Sequence, residues 1–160
     1  MNKLTLIQQK LLIELMKNSA RKGNLANAAI AIDSLGNIIE SSESLVVSNT
    51  DATAHAERLL IEKLGKRELN HYVNSYTIIT VVEPCLMCLS ASSQAGIKEI
   101  EYIIKAEDYM AQIPWMSDIS DFDKHELGLK LSNPVKLTYL KEISPVFKKV
   151  FEIEMKKHLK

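Results

Sequence analysis

The chain has 160 residues, the usual size of one domain and enough to bury a core, so a single domain over 1–160 is expected. Apolar residues make up 46% and charged residues 25%, as in ordinary globular proteins, and 20 basic residues balance 20 acidic ones, so total charge points to no polyanion partner. Two cysteines are too few for a secreted disulfide scaffold, and no apolar run approaches the ~20 residues needed to span a bilayer; no membrane partner and a cytoplasmic location with reduced thiols are expected.

Leu4, Ile7, Leu11, Leu12, Leu15 and Met16 recur at helical spacing, and Lys22-Gly23 supplies a stop. Ala28 to Ile32 reads as a strand, residues 34–37 as a turn and Ile38-Ile39 as a second strand that resumes at 45–47, together a hairpin. Asp51 or Thr53 is placed to cap a second helix ending at Gly65. Tyr76 to Val82, β-branched almost throughout, predicts a strand buried on both faces.

Cys85 to Ala95 predicts a third helix with Gly96 behind it, and Ile100 to Ile104 another strand. Residues 106–135 mix apolar and acidic side chains and read as short helical pieces or a lid. Lys136 to Leu140 is a last strand and Pro145 to Leu159 a closing helix. Strand-helix-strand units favour parallel pairing with right-handed crossovers. The expected fold is a three-layer α/β/α sandwich around a mixed sheet of about five strands.

Two short stretches carry chemistry: His55-Ala56-Glu57 and Pro84-Cys85-Leu86-Met87-Cys88. A lone histidine is commonly a surface or core residue, and C-x-x-C alone fits a redox dithiol as well as half of a zinc site. Together they make three ligands of the kinds zinc takes, with a fourth position open to water, which is the catalytic rather than the structural arrangement. A structural site would want a fourth ligand, and His71, His125 and His158 stand in no paired spacing. Glu57, two residues from His55, is placed to pass protons between water and a substrate rather than to ligate.

H-x-E followed by P-C-x-x-C is the signature of zinc-dependent base deaminases. With the longer strings Asp51-Ala52-Thr53-Ala54-His55-Ala56-Glu57 and Glu83-Pro84-Cys85-Leu86-Met87-Cys88, the chain resembles the cytidine deaminase superfamily, in the branch of bacterial guanine deaminases and tRNA adenosine deaminases. The resemblance covers about residues 1–140. It implies one zinc ion per subunit, a homodimer or larger oligomer, and hydrolytic removal of an amino group with Glu57 as the proton carrier. It also implies that backbone N–H groups near Ala56 and Cys85 help hold the base and the nucleophile.

The branch usually places an asparagine eleven residues before the zinc histidine, where it binds the base; here that position is Ser44, which lacks an amide's paired donor and acceptor. Asn27 stands in the branch's glycine-containing first-strand stretch, either to recognise the base or as a polar residue at a strand edge. Ala52 replaces a proline, and Ser92-Ser93-Gln94 stands where guanine deaminases often carry an aromatic residue. Trp115 is a candidate to stack on a base and Asp118 to hydrogen-bond it or relay a proton; the alternatives are core or interface packing for Trp115 and a helix cap for Asp118.

A small nucleobase or nucleoside is the expected substrate, with a guanine-like purine favoured by the branch. The alternatives are adenosine in tRNA, whose binding would need a basic surface, and a non-catalytic zinc-containing module. Lys148, Lys149, Lys156, Lys157 and Lys160 gather near the C-terminus, but they also fit the solvated face of an amphipathic helix, and the Arg-rich ending familiar from tRNA deaminases is missing.

Overall fold

A computed structural model of the chain describes residues 4–113, 115–116 and 122–159. The first helix, α1 (Leu6–Arg21), opens on a capping box, in which Thr5 Oγ1 accepts from the backbone of Gln8 and Gln8 Oε1 accepts from the backbone of Thr5. Strands β1 (Ala28–Ile32) and β2 (Ile38–Glu43) form the expected hairpin. Its turn is tied by Asp33 Oδ1, which accepts from the backbone N–H groups of Leu35 and Asn37.

After these come α2 (Ala56–Glu68), β3 (Thr77–Val82), α3 (Leu86–Gln94), β4 (Glu99–Ile104), α4 (Lys124–Lys130), β5 (Lys136–Tyr139) and α5 (Ser144–Glu154). The sheet order is β2-β1-β3-β4-β5. Strand β1 runs antiparallel to both neighbours, whereas β3, β4 and β5 are mutually parallel. Among the described residues no helix is long and apolar enough to cross a membrane.

Strand alternation divides the core into two layers. Ala28 and Ile30 of β1, with Ile79, Val81 and Ile103, pack against Leu12 and Met16 of α1 and Phe147 and Phe151 of α5. Ala29 and Ala31, with Ile78, Ile100 and Tyr102, pack against Ala56, Leu60 and Leu64 of α2 and Leu89 of α3. The three-layer sandwich with a mixed five-stranded sheet is therefore the fold observed.

Three boundaries differ from expectation. The second strand does not resume at 45–47, where the chain turns instead, with Ser44 N–H bonded to Asn27 O and Asn49 N–H to Leu45 O. Neither Asp51 nor Thr53 caps α2, because Asp51 Oδ1 is taken by the backbone N–H (2.8 Å) and hydroxyl (2.7 Å) of Thr53, which leaves His55 at the N-cap. Gly65 lies inside α2, which ends where Leu69 takes a left-handed conformation with φ 51°. Within 106–135 the chain forms a short 3-10 turn at Ala106–Asp108 and then α4.

Candidate active site

The site lies where two helices begin. His55 is the N-cap of α2, with Glu57 in the first turn; Cys85 is the N-cap of α3, with Cys88 in its first turn. Both helices thus point their positive ends at the same space, which favours thiolates there. Glu83-Pro84 carries the chain from β3 into α3, and Lys124 braces this turn. The Lys124 ammonium, only 5% exposed, donates to Pro84 O at 3.0 Å and lies 3.7 Å from Glu83 Oε1.

His55 Nδ1 and Cys85 Sγ are 3.5 Å apart, and the ligand atoms of His55, Cys85 and Cys88 all lie within 4.8 Å of one another. A tetrahedral zinc with ordinary bond lengths requires ligand-to-ligand separations of about 3.5–3.8 Å. The donor set therefore fits zinc in both kind and spacing. Among the described residues no other group of histidine, cysteine, aspartate or glutamate side chains has this arrangement, so His71, His125 and His158 supply no fourth ligand.

Charge within the donor set is polarised. The Cys85 thiol is held far below its ordinary range, chiefly by the hydrogen bond from Cys88 and then by His55. The hydrogen bond to Cys85 raises His55, while that same Cys85–Cys88 bond, burial and the neighbouring Glu57 push Cys88 up. Zinc held by these three residues would take the place of these protons.

Glu57 is 2% exposed, and its Oε1 accepts two hydrogen bonds, from Asn27 Nδ2 at 3.1 Å and from Thr80 Oγ1 at 2.5 Å. Asn27 is fixed in turn, since its Oδ1 accepts from the backbone N–H groups of Val82 (2.9 Å) and Ala28 (3.0 Å). Strand parity explains the cluster. Asn27 keeps the phase of Ala29 and Ala31, and Thr80 stands opposite Ala29, so both side chains face α2. Asn27 is thus built into the support of Glu57, a role its residue type alone did not indicate. Thr80 was missed by sequence reading, and its one signal is a hydroxyl inside the apolar run TIITVV.

A cavity of about 680 Å³ opens over this cluster. Asn27, Ser44, His55, Glu57 and Cys85 line it, with apolar walls from Leu25, Val46 and Val47. Ser44 is buried, with its backbone engaged by Asn27 O and by the Ser19 hydroxyl. Ala56 is buried at the start of α2, where its carbonyl accepts from the Ser42 hydroxyl.

Trp115 also lines the cavity. It is 47% exposed and meets the His158 ring edge-on, with centroids 4.5 Å apart. Trp115 is therefore a wall and not core packing, and His158, isolated in sequence, joins it from the C-terminal end. Asp118 lies outside the described residues. No lysine or arginine is among the described residues that line the cavity.

Residues 6–104 match the cytidine and deoxycytidylate deaminase zinc-binding region. A tRNA-specific adenosine deaminase of Haemophilus influenzae is 30% identical over 97 residues, covering 61% of this chain and 55% of the relative. One of Buchnera aphidicola subsp. Schizaphis graminum is 28% identical over 94 residues, 58% of this chain and 62% of the relative. The chain thus spans little more than half the length of these curated relatives.

In fold it is similar to guanine deaminase from Nitrosomonas europaea, with TM-score 0.76 and 18% identity, covering 91% of this chain and 81% of that one. It is similar also to a structure from work on A-to-I editing by tRNA:A34 deaminases at the wobble position of transfer RNA, with TM-score 0.70 and 16% identity, covering 89% and 96%. The match over residues 6–104 takes in the second helix and the P-C-x-x-C turn that bring His55, Glu57, Cys85 and Cys88 together, and the chain belongs to the cytidine and deoxycytidylate deaminase family.

Proposed function

We propose that the chain is a hydrolytic deaminase of a small aminated heterocycle, with a purine base of the guanine type favoured. The observation that carries the reading is a buried carboxylate, Glu57, that lines a cavity with largely apolar walls together with His55 and Cys85, two of a group of three zinc-type donors completed by the buried Cys88. Its volume, about 680 Å³, lies in the range of small-molecule sites. The absence of lysine and arginine among its described lining residues favours a free base or nucleoside over a phosphorylated substrate. The proposal includes a homodimer, following the family resemblance, and a cytoplasmic setting, which keeps both thiols reduced.

His55, Cys85 and Cys88 would hold zinc, which when bound supplies an acidified water at neutral pH. Glu57 accepts the proton released as water adds to the amino-bearing carbon, and delivers it to the adjacent ring nitrogen. It then takes the hydroxyl proton of the adduct and passes it to the departing amino group, which leaves as ammonia while the carbon keeps the oxygen as a carbonyl. Asn27 and Thr80 hold one oxygen of the carboxylate in place during these transfers. Trp115 offers a ring face against which a planar base can stack.

Adenosine in tRNA is the second reading, favoured by the names of the curated relatives. Against it, Lys148 of the C-terminal lysine group is already paired with Asp108 at 2.7 Å. The deciding experiment is an ammonia-release screen of zinc-loaded protein on guanine, adenine, cytosine, their nucleosides and an anticodon stem-loop. Turnover of purine bases supports the reading, and turnover of the stem-loop alone overturns it.

A further inference from the structure

One wall of the deaminase cavity is a turn, residues 44–51, of which Ser44, Val46 and Val47 line the cavity. The turn closes on itself through Asn49 N–H on Leu45 O at 2.8 Å and Asp51 N–H on Val46 O at 3.0 Å. Its beginning is tied to the rest of the chain: Ser44 N–H donates to Asn27 O and Leu45 N–H to Ala54 O, each at 3.0 Å. Its middle lacks such backbone ties, and packing covers less than half of Val47, which is 58% exposed.

Asn24 holds that middle. It is 2% exposed, and its Oδ1 accepts from the backbone N–H groups of Val47 at 2.8 Å and Ser48 at 3.1 Å. Its Nδ2 donates to Ser48 Oγ at 2.7 Å. Among the described residues, every hydrogen bond that ties 46–50 to the chain outside the turn ends on this one amide.

The end of α1 delivers the amide there. Gly23 N–H donates to Ala20 O at 2.9 Å and Asn24 N–H to Ser19 O at 3.1 Å, the two bonds of a Schellman ending, with Gly23 at φ 87°. Both bonds are made by the backbone, so the ending itself asks nothing of the Asn24 side chain. All three side-chain bonds of Asn24 go to the cavity wall, yet Asn24 does not line the cavity.

We propose that Asn24 is a positioning residue that holds the Val46-Val47 wall in place and so sets the affinity for substrate. The proposal rests on the deaminase reading. Asn24 acts through the wall and touches no reacting atom, so its loss weakens binding of substrate and transition state alike, which raises KM and spares kcat.

The test compares zinc-loaded wild type with Asn24→Leu, which keeps the side-chain size and removes the amide. Ammonia release is followed on guanine, adenine and their nucleosides, and amide hydrogen exchange is read by NMR. Asn24→Leu should raise KM by about fivefold or more, with kcat within about twofold of wild type and full zinc content. Exchange at Val47 and Ser48 should quicken by about tenfold or more while the amides of β1 and β3 keep their rates, which a general loss of stability would not produce. Asn24→Asp should recover most of the KM, because its carboxylate accepts from both N–H groups and from a rotated Ser48 hydroxyl. Ser48→Ala, which removes one bond of the three, should raise KM less and carries the comparison if Asn24→Leu does not fold. Unchanged KM in the folded Asn24→Leu and Ser48→Ala proteins, a fall in kcat or zinc content as large as the rise in KM, or unchanged exchange at Val47 and Ser48 would overturn the proposal alone. A wild-type protein that releases ammonia from none of these compounds would overturn the deaminase reading, and the proposal with it.

Discussion

Asn27 Nδ2 donates to Glu57 Oε1 at 3.1 Å, while the other end of the same amide is gripped by the backbone of β1 and β3. The carboxylate is therefore referenced to the sheet and not only to its own helix. Thr80 adds a second tether to the same oxygen.

Thr80→Val, nearly isosteric, removes that tether alone. The expected result is a fall in kcat of about tenfold to a hundredfold, the scale of one hydrogen bond to a charged group, with KM little changed. Thr80→Ser should recover most of the rate. Ammonia-release kinetics check it, and a normal kcat in Thr80→Val would show that the tether does not act on Glu57. Asn27→Ala is the harsher change. It strips the backbone N–H groups of Ala28 and Val82 of their acceptor, at about 1–3 kcal/mol each if both stay buried, so it should lower stability as well as rate.

Removing zinc separates the metal's role from the carboxylate's. Zinc-loaded protein should contain about one ion per chain by elemental analysis, as a three-ligand site requires. Cys88→Ser and His55→Ala should each lose most of that zinc, whereas Glu57→Gln should retain it and lose activity. The metal-free protein should melt at a lower temperature by several degrees, since a ligand that binds only the folded chain stabilises it. Full zinc content in Cys88→Ser would remove Cys88 from the ligand set.

Lys124→Met tests the brace behind the cysteine turn. Breaking a buried ion pair by removing one partner typically costs about 3–5 kcal/mol, and Glu83 retains 13% side-chain exposure, so about 2–3 kcal/mol of stability should be lost. Pro84 O also loses its donor, so zinc affinity should fall with stability. Denaturant unfolding and a chelator competition measure the two effects. Unchanged zinc affinity in a folded Lys124→Met protein would show that the turn holds its shape without the brace.

Two glycines in helices should respond oppositely to alanine. A Cβ on Gly128 of α4 would lie 2.4 Å from Val135 O, a backbone atom that cannot turn away, so Gly128→Ala should cost about 1–3 kcal/mol. At Gly65 of α2 the nearest atom is Asn70 O at 3.4 Å, and Gly65→Ala should gain about 0.5–1 kcal/mol from helix propensity. Thermal unfolding of both variants checks the signs.

The layers and the ligand set were legible in the sequence because each rests on local rules. Apolar periodicity marks strands and helices, and metal chemistry admits few residue types. What escaped depends on distant partners. Asp51 and Thr53 look like helix caps, yet they satisfy each other and leave the N-cap to His55. Gly65 looks like a stop, but the helix tolerates it and ends on Leu69. Thr80 gains its role from Glu57, 23 residues away, and Lys124 from Pro84, 40 residues away; neither pairing leaves a spacing signal.

Ala29 and Ala31 of β1 are fully buried beneath α2, against Ala56 and Leu60. Short side chains at a contact let a helix settle close to what it covers. The methyl groups of two alanines thus work as shims: their thickness sets how deep His55 and Glu57 sit, and hence whether Glu57 reaches Asn27 and Thr80 at all. A valine at either position would leave His55 and Glu57 in the sequence and still lift them together away from the sheet that aligns them.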